Sequence, residues 1–274
     1  MLTKKNSLKN IFGFIILLLV FFVMEQGDLL LQIRQWLPVI GWIIIGVALL
    51  IILIIVWKRR RKKRILESVT RLYRGERSER NLIYKLITNG IPAQTIYHDL
   101  YFKKRNGEYA QVDLVVATSV GILVFEVKDY KGWIYGNENQ LQWTQVLAYG
   151  KSKNRFYNPV KQNARHIQTI KEQLGQFKKI PFFSIIVFYG NCVLKEVGTI
   201  PDGTYLVKPN EVMEVIQTIT SSHQSAPYTD KWEVIRLFKE AAANGDSKEV
   251  HKEHIMNIRN MLERNSISDN QNYR

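Results

Sequence analysis

Gln111-Val112-Asp113-Leu114 opens an apolar run, and after a glycine at 121 the chain continues Gly121-Ile122-Leu123-Val124-Phe125-Glu126-Val127-Lys128. The second segment is apolar at every position from 122 to 125, the pattern of a strand covered on both faces. Glu126 and Lys128 are two residues apart, so on an extended strand they share one face. Charges that close a doubly covered strand are costly unless paired or bound to something. With Asp113 on the preceding run, two consecutive strands place an Asp, a Glu and a Lys together.

Those residue types suit metal-assisted hydrolysis of phosphodiesters. Mg²⁺ prefers carboxylate and water oxygens, and one or two protein carboxylates plus a substrate phosphate commonly complete its shell. Asp113 and Glu126 are the candidate ligands. A lysine beside the ion, here Lys128, orients the attacking water or offsets charge growing on the phosphate. The competing reading is a cross-strand ion pair between Asp113 and Lys128 with no catalytic role.

More of the chain follows one pattern. Gly75-Glu76-Arg77-Ser78-Glu79 precedes the two strands, Gln142-Trp143 follows them, and Asn158-Pro159-Val160-Lys161-Gln162-Asn163 comes next. In this order the segments resemble the nuclease-related (NERD) domain of the PD-(D/E)XK nuclease superfamily over residues 73–175. Ser78 departs from it, standing where the family usually has a second glycine. The resemblance implies a restriction-endonuclease-like α/β core with a central mixed sheet flanked by helices. It also implies a site in which Glu79 joins Asp113, Glu126 and Lys128, with Glu79, Asp113 and Glu126 holding Mg²⁺ or Mn²⁺. Gln162 approaches that site, and the substrate is nucleic acid, DNA or RNA. Without the resemblance, Glu79 is one acid in a charged helix start. A second outcome of the same fold is a non-catalytic nucleic-acid-binding or signalling adaptor.

The amino end carries a different signal. Leu37 to Trp57 is uncharged and long enough to cross ~30 Å of hydrocarbon at ~1.5 Å per residue, with Trp36 and Trp57 at its ends as interfacial anchors. Lys58-Arg59-Arg60-Arg61-Lys62-Lys63-Arg64 follows directly, a basic run of the kind retained on the cytoplasmic side. The same run is a candidate for anionic lipid or nucleic acid. Residues 11–24 form a shorter apolar run, so the expectation is a two-helix membrane hairpin with the rest of the chain facing the cytoplasm.

Charge follows this division. Residues 1–64 hold eleven Lys or Arg and two acids, which supplies +9 of the formal +15 and leaves +6 on residues 65–274. That remainder is compatible with a polyanionic substrate without demanding one. A single cysteine, Cys192, excludes an intramolecular disulfide. P-loop, dinucleotide-binding, zinc-type cysteine and Gly-x-Ser-x-Gly patterns are absent from the sequence.

The expected organisation is a membrane anchor at 1–64, a nuclease-like domain at 65–220, and a linker with two helices at 221–274. Within it the pattern predicts a helix over 78–89 and strands over 95–103, 109–117, 121–128, 140–146, 182–189 and 205–207. Further helices are predicted over 159–177, 209–220, 232–243 and 247–262, and a disordered tail from 265. Asn158 is the predicted N-cap of the 159–177 helix, with Pro159 at its first position. On that helix Gln162 and His166 face one way; His166 reads as structural, because no other histidine stands at ligand spacing to it.

Overall fold

The computed structural model describes residues 27–147, 150–175 and 179–257, together with Gly13, Val20 and Arg259. The predicted apolar helix at 11–24 and the tail from 265 therefore lie outside the described residues, Gly13 and Val20 apart. The chain divides into two units, residues 1–61 and 62–274.

The first unit contributes most of helix α1 (Gly27–Glu67), whose segment Arg34–Glu67 is the one helix among the described residues long and apolar enough to cross a bilayer. Among the described residues its Trp42, Leu50 and Leu53 side chains are exposed. A long helix that is apolar all round and unburied suits hydrocarbon rather than water.

The second unit follows the expected α/β order. Helix α2 (Arg77–Thr88) leads through a short 3₁₀ turn (Ala93–Thr95) to strands β1 (Ile96–Lys103), β2 (Tyr109–Thr118) and β3 (Gly121–Asp129). Strands β4 (Gly132–Gly136), β5 (Gln142–Leu147) and β6 (Ser152–Tyr157) precede helix α3 (Pro159–Leu174). Then come β7 (Phe182–Tyr189), β8 (Cys192–Val197), β9 (Thr204–Val207), α4 (Val212–Ser222), α5 (Lys231–Asn244) and a helix α6 over 248–257.

The main sheet is mixed, in the order β1-β2-β3-β7-β9, with β1, β2 and β3 antiparallel neighbours and β3, β7 and β9 parallel. One face packs Leu114, Phe125 and Val127 against Leu82, Ile83 and Leu86 of α2 and Ile216 and Ile219 of α4. The other packs Val112, Ile122 and Val124 against Ile170 and Leu174 of α3 and Val234 and Phe238 of α5. Covering on both faces explains why β3 and β7 read as continuous apolar runs rather than alternating ones.

A second sheet, β6-β5-β4-β8, was not anticipated beyond β5. Its edge strand β6 is Ser-Lys-Asn-Arg-Phe-Tyr and mostly exposed, so it lacks the apolar alternation that marks a half-buried strand. Charged side chains on such an edge also oppose further strand pairing. Trp143 of β5 is buried between the sheets and stacks on Phe188 of β7, with centroids 6.3 Å apart.

Two helix boundaries differ from expectation. Helix α3 stops at Leu174, where Gly175 takes φ +50°, and α4 starts at Val212, after a turn in which Glu211 accepts from the Lys208 N–H at 2.7 Å. The segment expected as a loose linker is tied down: Ala226 N–H donates to Ser119 O, and Tyr228 Oη donates to Thr118 O at 2.8 Å. Helix α5 buries Val234, Phe238 and Ala241, whereas Trp232 is 78 % exposed.

Candidate active site

Strands β1 and β2 both change side-chain parity at one rung. Tyr97 faces the same core as Leu100 and Phe102, and Val112 the same core as Val115, so alternation slips at Asp99 and at Asp113 opposite it. The ladder pairs His98 with Leu114 and Leu100 with Val112 but skips Asp99 and Asp113, and Asp99 takes φ +54°, unusual for a residue with a side chain. Such local irregularity re-aims a side chain next to a site. Here it frees Asp113 to turn back on β3, where its Oδ2 accepts the Val127 N–H at 2.8 Å.

Glu126 is buried at 1 % exposure, while Lys128 reaches partly into solvent. Lys128 Nζ stands 2.6 Å from Glu126 Oε1 and donates to Gln162 Oε1 at 3.0 Å. Helix α3 delivers Gln162 because Asn158 caps it: Asn158 Oδ1 accepts from Val160 N at 2.9 Å, and its Nδ2 donates to Gln140 O at 2.8 Å. One turn further, Asn163 donates to Val124 O at 2.8 Å and pins the helix onto β3. His166 follows on the same face, with Nε2 3.2 Å from Glu126 Oε2. That separation is within ion-pair reach, and both atoms are buried without a hydrogen-bond partner. The sequence placed Gln162 here but read His166 as structural; its place one turn after Gln162 was the available signal.

Glu79 arrives from the other side of the sheet. His98 of β1 bridges it to Thr70, with Nε2 2.9 Å from Glu79 Oε2 and Nδ1 2.7 Å from Thr70 Oγ1. Both ring nitrogens thus face polar partners, and the tautomer sets which of the two contacts the ring donates. Gly75 takes φ +60°, and a Cβ there would overlap Glu79 Oε2 and lie 2.5 Å from His98 Nε2. The glycine of the helix opening is thus the floor on which the Glu79–His98 pair rests. Ser78, the departure from the family pattern, is buried with its hydroxyl unpartnered. His98 carried no sequence signal, being one polar residue in a buried strand.

The carboxylates feel one another. Burial pushes the Asp113 pKa well above its ordinary value, and the charges of Glu126 and Glu79 push it further; the Val127 N–H and Lys128 act against this. Asp113 keeps some exposed surface, but protein atoms crowd its carboxyl and set the direction. Burial would also raise Glu126, but His166 and the Lys128 ammonium outweigh it and hold Glu126 below the usual range. Burial opposes the Lys128 charge, yet Glu126 and Asp113 keep its pKa above the ordinary value.

Among the described residues, no three His, Cys, Asp or Glu side chains converge closely enough to hold a metal ion by themselves. Glu79 is instead committed to His98. The donor set fits a hard divalent cation of the open kind, bound by Asp113 and Glu126 and completed by water and substrate oxygen. Glu126 Oε2, buried and unpartnered, is the atom that most needs such a neighbour. A cavity between Tyr73 and helix α6, about 450 Å³ and lined also by Asp246, Lys248 and His251, contains none of these residues.

Comparison with known families finds a match in this part of the chain: residues 74–189 match the nuclease-related domain (NERD). That range begins at Arg74, beside the Gly75 floor, and ends with β7. The chain is also 27 % identical, over 190 residues, to an uncharacterized protein of Bacillus anthracis, a match covering 69 % of this chain and 85 % of that one. No solved structure matches the chain.

Proposed function

We propose that the protein is a membrane-anchored nuclease that hydrolyses phosphodiester bonds of DNA or RNA on the cytoplasmic face of a membrane. The observation that carries the reading is the Lys128 ammonium held between Glu126 and Gln162 beside a crowded Asp113. Asp113 and Glu126 are the residues that would hold Mg²⁺ or Mn²⁺, with Glu79 behind Asp113 through their mutual repulsion. Such an ion supplies a more acidic bound water and neutralises charge on the phosphate.

This chain's own residues do the rest. Gln162 and Glu126 fix the position of Nζ on Lys128, so the ammonium meets the scissile phosphate or its attacking water without reorganising. The Val127 N–H holds one oxygen of Asp113 and leaves the other for the site. The apolar α1 segment and the basic residues 58–64 after it support anchoring with the domain inside.

The test is cleavage of single- and double-stranded DNA and RNA by the full chain in detergent, with Mg²⁺, Mn²⁺ or EDTA. Metal-dependent cleavage of at least one substrate is expected. A folded protein that binds nucleic acid but cleaves none would leave the adaptor reading in its place.

A further inference from the structure

The geometry points to His166 as a metal ligand that makes this centre select a first-row transition ion, such as Mn²⁺, over Mg²⁺. The inference rests on the nuclease reading above and names the ion that its site takes.

Two buried atoms define the place. His166 Nε2 and Glu126 Oε2 stand 3.2 Å apart, and neither has a hydrogen-bond partner. The His166 side chain is 13 % exposed and that of Glu126 1 %, so water does not readily serve either atom. A contact between a ring nitrogen and a carboxylate that makes no hydrogen bond leaves both groups short of the partner that burial demands. Two ligands bound to one ion at roughly 2.0–2.2 Å, about 90° apart, are themselves about 3 Å from each other. The observed separation is that of two neighbouring ligands, and an ion between them would satisfy both atoms at once.

The supporting shell is in place. Lys128 holds the other oxygen of Glu126, so Oε2 has a fixed direction. The bond from Asn163 to Val124 O locks helix α3, and with it His166, onto the strand that carries Glu126. Imidazole nitrogen favours first-row transition ions, whereas Mg²⁺ takes oxygen ligands and keeps several waters. A site of Glu126 and His166, completed by water and substrate oxygen, therefore discriminates by ligand type.

The test uses the full chain in detergent, stripped of metal and titrated separately with Mn²⁺ and Mg²⁺ by calorimetry. Pulsed electron paramagnetic resonance on the Mn²⁺-loaded protein then reads any coupling to a ligating nitrogen. The expected result is imidazole nitrogen coupling in the wild type, absent in His166→Gln. Because losing even an outer-shell partner costs about 10–100-fold, His166→Gln should weaken Mn²⁺ at least about tenfold, with Mg²⁺ little changed. His166→Cys should shift preference toward Cd²⁺.

Mn²⁺ bound without nitrogen coupling, and equally well by His166→Gln, would overturn the inference; if Glu126→Gln then abolished binding, the carboxylate centre would stand. A wild-type chain that binds neither ion would overturn both. Should His166→Gln fail to fold, the nitrogen coupling in the wild type alone decides.

Discussion

Gly75→Ala probes the floor beneath Glu79. At φ +60° an alanine pays the left-handed penalty of about 1–2 kcal/mol. Its Cβ also overlaps Glu79 Oε2 and comes within 2.5 Å of His98 Nε2, so the buried pair must separate. Leaving such partners unsatisfied costs a further ~1–3 kcal/mol, for a total of about 2–5 kcal/mol. In a domain of this size each kcal/mol moves the melting temperature by about 2–4 °C, so a thermal melt of the full chain in detergent should fall by at least about 4 °C. In a Glu79→Ala background the overlap with the carboxylate is gone and the His98 ring can retreat into the vacated space, so the cost of Gly75→Ala should shrink toward the backbone term. An equal cost in both backgrounds, or a total below about 1 kcal/mol, would refute the idea that Gly75 exists to seat the pair.

Other expectations follow from the same geometry. Asp113→Asn should abolish cleavage yet raise the melting temperature of the metal-free protein at neutral pH. The sign comes from the raised pKa: between the ordinary Asp value and the higher folded one, the native state keeps a proton that the unfolded chain has lost, so stability falls as pH rises through that window. The variant should flatten that slope in melts run against pH. Lys128→Met leaves Glu126 buried without its ammonium and should cost about 3–5 kcal/mol in denaturant unfolding, much of it recovered by adding Glu126→Gln. Arg74, itself buried, pairs with Asp99 at 3.0 Å and donates to Ala242 O at 3.0 Å. Arg74→Ala should cost about 3–5 kcal/mol and release hydrogen-exchange protection in α5.

The strands and helices of the main sheet were legible because each satisfies a local rule: β3 and β7 as doubly covered apolar runs, α3 as a helix with Asn158 and Pro159 at its start. Edge strand β6 obeys no such rule, since its exposed polar residues are set by what it must not pair with. Of the site, Asp113, Glu126 and Lys128 lie on adjacent strands of one hairpin, so spacing alone brings them near. His166 meets Glu126 from forty positions away, and only the docking of α3 makes that contact. The turn of Asp113 toward Val127 depends on the slipped rung at Asp99, a backbone event with no residue signature. The role of Gly75 was visible only as part of a family pattern, and its physical reason required the positions of Glu79 and His98.

The central claim is that Glu126 and Lys128 form a hydrolytic centre, and single-turnover cleavage tests it most directly. Rates for the wild type, Glu126→Gln and Lys128→Met would be compared under saturating Mn²⁺, with Trp232→Ser as a control at an exposed position. The account predicts that both site variants lose about 10²–10³ in rate, while the control matches the wild type. Cleavage at wild-type rate by folded Glu126→Gln and Lys128→Met proteins would contradict it.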